Sequence, residues 1–68
     1  MMTLGELASK LTNINELYIK FWDNNMGMMR NIEQDEVPRF VDNHSNLEVR
    51  YVTAGSFQII VEIYNPFN

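Results

Sequence analysis

The chain has 68 residues, no cysteine, and nine acidic against five basic residues, for a net charge of −4. No disulfide or thiolate metal cluster can staple it, and the acidity argues against direct nucleic-acid binding, because phosphates must be neutralised by Lys and Arg. Its 46% apolar content is that of a globular chain, and a domain of this size buries only about 60% of its unfolded surface, so oligomerisation or partner binding is the natural source of further burial.

The first element starts at Thr3-Leu4-Gly5-Glu6, a capping box in which Thr3 accepts from the Glu6 amide and the Glu6 carboxylate reaches back to the Thr3 amide. Leu4, Leu7, Ala8 and Leu11 follow at helical spacing, and Thr12-Asn13 offers a stop. This predicts a helix of about nine residues, too short to stand alone. Gly5 weakens it by about 1 kcal/mol relative to Ala. The opening shows no signal-peptide pattern, and apolar runs such as Ile59-Ile60-Val61 are too short to cross a membrane. The expectation is a single cytoplasmic domain over residues 1–68.

Residues 17–23, LYIKFWD, alternate as a strand: Leu17, Ile19 and Phe21 face one way, Tyr18, Lys20 and Trp22 the other. Asp23 to Gly27 has turn chemistry, since Asn and Gly tolerate left-handed backbone angles. Met28 to Ile32 can return as a second strand. Gln34-Asp35-Glu36 is a solvated acidic run. Val37 is pushed toward extended geometry by Pro38, and Pro38 can open a short helical turn through Phe40 and Val41. Asp42 to Asn46 reads as a polar loop.

Residues 46–65, NLEVRYVTAGSFQIIVEIYN, read as a hairpin ended by Asn65-Pro66. The inward set is Leu47, Val49 and Tyr51 on one strand, with Phe57, Ile59, Val61 and Ile63 on the other. A two-residue Ala54-Gly55 turn mixes the faces. A three-residue Thr53-Ala54-Gly55 loop, with Gly55 left-handed beside a bulge, sets Tyr51 opposite Phe57, Val49 opposite Ile59 and Leu47 opposite Val61. The fold class is therefore α+β: one N-terminal helix packed on a three- or four-stranded antiparallel sheet that ends in a β-hairpin.

Catalytic chemistry is sparse. His44 is the sole histidine; with Asp42 beside it a metal site is conceivable, but no second His or any Cys completes a zinc shell. Ser9, Ser45 and Ser56 lie in nothing like a nucleophile elbow. Asp35-Glu36 reads as a solvated pair, and the three glycines form no phosphate-cradling pattern. The expectation is no enzyme, no cofactor and no metal. The acids are also too dispersed and too interrupted by bases for DNA mimicry.

What stands out is the second face of the sheet. Tyr18 and Trp22 flank Lys20, while Val52, Ile60 and Tyr64 lie among Glu48, Arg50, Gln58 and Glu62. One short helix covers one face. The other is covered by Met26, Met28, Met29, Ile32 and Phe40 of the same chain, or it is an interface. Trp and Tyr are typical binding anchors and methionine suits adaptable surfaces, which makes Tyr18, Trp22, Ile60, Tyr64 and Met28 the partner-binding candidates. Edge pairing is a further route to dimerisation.

The opening MTLGELASKLTNINELYIKFWD resembles a common start of small phage and mobile-element proteins, a capped T-x-x-E-L-x-x-x-L helix followed by an alternating strand. Short, acidic, cysteine-free chains of this kind are similar to phage-encoded inhibitors of host defence or host enzymes. The resemblance implies stoichiometric binding to a host protein, or sequestration of a small signal molecule, in the host cytoplasm. The expected function is non-catalytic protein binding by occlusion, as a homodimer, with acids around the aromatic patch selecting a basic surface. The alternatives are a dimer that holds a small anionic molecule such as a nucleotide through Arg30, Arg39 or Arg50, and a structural subunit of a larger assembly.

Overall fold

The computed structural model describes residues 2–55 and 58–67. The capping box forms as the sequence predicts: the Glu6 amide donates to Thr3 Oγ1 at 3.2 Å and the Thr3 amide to Glu6 Oε1 at 3.1 Å. It starts α1 (Leu4–Ser9), which is shorter than the apolar spacing suggests. Its end tightens early, with the Lys10 and Leu11 amides donating to the Leu7 and Ala8 carbonyls at 3.1 Å. Leu4 and Leu7 are buried; Leu11, beyond the helix, packs half-buried against the core.

Asn13 caps a 3-10 turn over Ile14–Glu16 that leads into β1 (Leu17–Asp23). The alternation of β1 is as the sequence predicts, with Leu17, Ile19 and Phe21 buried. Residues 24–27 reverse the chain, Gly27 taking the left-handed φ of 64°, and β2 (Met28–Asn31) returns along β1. A second 3-10 turn, Gln34–Glu36, runs into α2 (Val37–Asn43). Here the structure corrects two expectations. Val37 is helical, at φ −57° and ψ −47°, despite preceding Pro38: its side chain is fully buried and its amide donates to the Gln34 carbonyl, which outweighs the steric preference. The helix also runs through Asp42 and Asn43 rather than giving way to a loop at Asp42.

β3 (Val49–Ala54) and β4 (Ile59–Ile63) complete a four-stranded sheet in the order β2-β1-β4-β3. The sheet is mixed, not wholly antiparallel: β1 and β4 pair in parallel, Leu17 with Ile59, Ile19 with Val61 and Phe21 with Ile63. The two hairpins each supply one strongly apolar strand, and these meet in the middle where burial is greatest. Parallel neighbours need a long crossover, which the connection through α2 provides. Both helices cover one face, so the single-helix picture is corrected too. Leu4, Leu7, Ile32, Val37, Phe40 and Val41 pack there against the inward residues of β1 and β4. Among the described residues, no helix is long and apolar enough to cross a membrane.

The hairpin register differs from the one that alternation predicts. Val49 lies opposite Ile63, Tyr51 opposite Glu62 and Val52 opposite Val61, with a bulge between Val49 and Tyr51. The Gly55 amide donates to the Gln58 carbonyl at 2.7 Å, so pairing continues past the expected Thr53-Ala54-Gly55 loop. Phe57, the expected partner of Tyr51, lies outside the described residues. The bulge puts two residues opposite one and turns Tyr51 to the far face, while Val52 shares the helix-side face with Val61.

Candidate functional site

Among the described residues, no helix or loop covers the sheet face away from α1 and α2. Ile32 and Phe40, expected as part of its cover, are in the core on the other side, and Met26, Met28 and Met29 are exposed. Strand register arranges this open face in rows. The middle row is polar: Asn31 of β2, Lys20 of β1, Glu62 of β4 and Tyr51 of β3, with Arg50 bulged beside Tyr51. On one side lie Tyr18, Ile60 and Thr53; on the other, Met29 and Trp22, with Tyr64 just beyond β4. Tyr18 and Trp22 remain 40% and 45% exposed, although they sit on the central strand β1.

Arg50 organises one end of the face. Its Nη1 donates to Glu62 Oε2 at 3.4 Å, and its guanidinium lies 4.9 Å from the Tyr64 ring centroid and 5.3 Å from that of Tyr51. An Arg over aromatic faces is held at low entropic cost and fixes both rings. Lys20 is in no ion pair among the described residues. The middle row thus carries two cations against the one carboxylate of Glu62. Glu6, Glu16, Asp35, Glu36 and Asp42 belong to helical elements. Glu48, beside the inward-facing Val49, is the other acid placed toward this face, so acids do not outnumber bases around the aromatic patch.

Of the five partner-binding candidates, Tyr18, Trp22, Ile60 and Tyr64 come together. Met28 does not: it pairs with Asp23 and belongs to the helix-side alternation. Met29, one residue on, takes its place opposite Trp22. Met29 was legible from period-two alternation once the hairpin turn was placed; Tyr51 was hidden by the bulge.

The three arginines do not converge. Arg30 and Arg39 line one groove of about 290 Å³ on the helix side, floored by Phe21, Ile32 and Phe40. Glu33 and Glu36 line it too, and each guanidinium is already paired, Arg30 with Asp23 at 3.0 Å and Arg39 with Glu36 at 3.3 Å. Arg50 is on the opposite face. Such a groove lacks the net positive field that an anionic ligand needs. His44, in the same groove, stacks on Phe40 with ring centroids 4.3 Å apart, its Nδ1 3.1 Å from the Phe40 carbonyl oxygen.

Both edges of the sheet are blunted in part. β2 is four residues long and carries Arg30. β3 is bulged, and its start is covered by the chain's own N-terminal segment: Thr3 bridges Glu48, and the Val49 amide donates to the Met2 carbonyl at 3.1 Å. Short strands, charges, bulges and covering segments are the usual means of blunting an edge.

Asp23 anchors the turn at one end of that face. Its buried carboxylate accepts from the amides of Asn25 at 2.9 Å and Met26 at 3.2 Å, and from Arg30 Nη1 at 3.0 Å. The Arg30 hydrogen bond is the largest influence and, with the two amides, holds the carboxyl below its ordinary range against the opposing effect of burial. The folded pKa is lower than the unfolded one. The stabilisation is therefore complete above about pH 4 and is lost as the pH falls through the folded value. Asp23→Asn is expected to lower Tm at neutral pH, and the gap to wild type should close as the solution is acidified below about pH 4. Melting curves across that range check it.

No protein-family model matches this chain, and no curated protein or solved structure is significantly similar to it.

Proposed function

We propose that this chain is a non-catalytic protein-binding domain that works by laying its open sheet face against another protein surface. The observation that supports this is an indole and a phenol, Trp22 and Tyr18, standing exposed on the central strand β1 while the opposite face holds a complete core. Aromatic side chains bury large areas at small entropic cost and dominate the energetics of interfaces. The free ammonium of Lys20 between them favours a partner that brings a carboxylate into an apolar surround. Occlusion is the mechanism such a face implies. The resemblance of short, acidic, cysteine-free chains of this kind to phage-encoded inhibitors implies a host protein as the target of occlusion when the occupant is not a second copy.

Trp22 is the only tryptophan, so its fluorescence reports on this face alone. On association its emission is expected to move to the blue and acrylamide quenching to fall. Trp22→Ala is expected to weaken binding by about 30-fold or more, the scale of an interface hot spot, while the far-ultraviolet spectrum, and the Tm of the dissociated chain, stay near wild type. Arg39→Ala, on the helix side, leaves binding unchanged. If Trp22→Ala unfolds the chain, the indole is part of the core and the reading fails. Binding that is indifferent to Trp22 refutes it as well.

A further inference from the structure

A protein-binding face does not by itself name its occupant; the identity of that occupant, which rests on the binding role, is set by the charge order across the sheet. We propose that the open face packs on the same face of a second copy. The two-fold axis runs parallel to the strands, midway between the two facing sheets and above the seam of β1 and β4. Within one sheet, the parallel register sets Tyr18 beside Ile60 and Lys20 beside Glu62, and the same register continued one step sets Trp22 beside Tyr64. The two-fold carries each β1 position over the β4 position of the facing sheet at the same height. Tyr18 then meets Ile60 of the second copy, Lys20 meets its Glu62, and Trp22 meets its Tyr64. The same operation sets β2 against β3, so Asn31 faces the end where Arg50 and Tyr51 lie.

Charge makes the match specific. Across the sheet the middle row reads amide, cation, anion, phenol, Asn31, Lys20, Glu62 and Tyr51, with the guanidinium of the bulged Arg50 held beside Glu62 and Tyr51. Reversed by the two-fold, it places Lys20 against Glu62 and Tyr51, with Arg50 beside it, against the Asn31 amide, with no like charges opposed. Lys20, unpaired among the described residues, thereby gains a carboxylate that already holds Arg50. The aromatic rows on either side exclude water around these pairs, which strengthens them. Acids concentrated in the helical elements stay on the outer sides of the pair, away from one another. Two sheets stacked this way form an aligned sandwich about 10 Å thick, their strands crossed by about 30° through sheet twist. A chain with so small a core gains a second one shared between copies.

Sedimentation and cross-linking test the dimer, and single-cysteine chains are clean probes because the sequence contains no cysteine. Wild type is expected to sediment as a dimer at high concentration and to dissociate on dilution. Trp22→Ala and Lys20→Glu should each raise the dissociation constant by more than about tenfold, the latter by opposing two carboxylates. Asn31→Cys chains mixed with Tyr51→Cys chains should cross-link between copies with a short bismaleimide far more efficiently than either chain alone. A monomer at every concentration overturns the proposal. If Trp22 then still governs capture of a foreign protein, the binding role stands without the dimer. A dimer that survives both Trp22→Ala and Lys20→Glu, or one in which Asn31→Cys links to itself, uses another surface or register and overturns the proposal as well.

Discussion

Phe21→Ala is expected to unfold most of the protein at room temperature. Phe21 is 1% exposed. It sits on a central strand, opposite Arg30 of β2 and Ile63 of β4, and its ring meets that of Phe67 edge-on, with centroids 5.5 Å apart. Truncating a buried Phe costs about 3–5 kcal/mol through lost transfer energy and the cavity left behind. A single small core supplies about the same amount in total. The Arg30 guanidinium, 5.8 Å from the same ring and tied to Asp23, loses its floor in the same step, and the turn at residues 24–27 loosens with it. Urea titration followed by circular dichroism should show the midpoint falling to near zero denaturant. Trp22, the next residue, is the internal control. It has more surface to lose, yet its truncation should leave the midpoint almost unchanged when measured on the dissociated chain, because the indole faces solvent. Equal losses at the two positions would mean that both faces of the sheet are core, and the binding proposal would go with them.

That contrast marks what local sequence could and could not convey. Alternation along residues 17–23 assigned Phe21 and Trp22 to opposite faces without any structure, because a strand's period of two leaves no freedom once one face is buried. The capping box at Thr3 and Glu6 and the turn before Met28 were legible for a similar reason: they are satisfied within a few residues of chain. Two long-range features were not. The parallel β1–β4 pair depends on which two strands win the centre of the sheet, and no residue in either one encodes its neighbour. The hairpin register failed because pairing runs on to Ala54 opposite Ile59, past the expected loop, and because Arg50 is accommodated as a bulge, which reverses the inward and outward sense of the rest of β3. Tyr51 looked like core by alternation with Val49, yet it is 60% exposed. For the candidate face, Tyr18, Trp22, Ile60 and Tyr64 were readable. The self-matching order of its middle row was not, because that order exists only once β1 and β4 lie side by side in register.

Gly5→Val is expected to destabilise the protein by about 2–3 kcal/mol, the scale of overpacking, even though helix propensity favours almost any residue over Gly by up to about 1 kcal/mol. Close approach decides the sign. A Cβ at Gly5 falls 2.9 Å from the Ser45 Cβ and 3.1 Å from the Ser45 carbonyl oxygen. That carbonyl accepts the Gly5 amide at 2.9 Å, and the Leu4 amide donates to the Leu47 carbonyl at 2.8 Å. The backbone cannot retreat without losing both bonds, so the first turn of α1 lifts away from residues 45–47. The consequence reaches the sheet, because the same segment holds Met2 and Thr3 against Val49 and Glu48. Freed, the first part of the β3 edge presents unpaired groups to other chains. Hydrogen exchange at the Val49 amide should therefore accelerate in step with the fall in Tm, and the variant should aggregate on heating where wild type does not. If Gly5→Val instead raises Tm, the helix is free to shift, and the edge of β3 is protected by something other than the N-terminal segment.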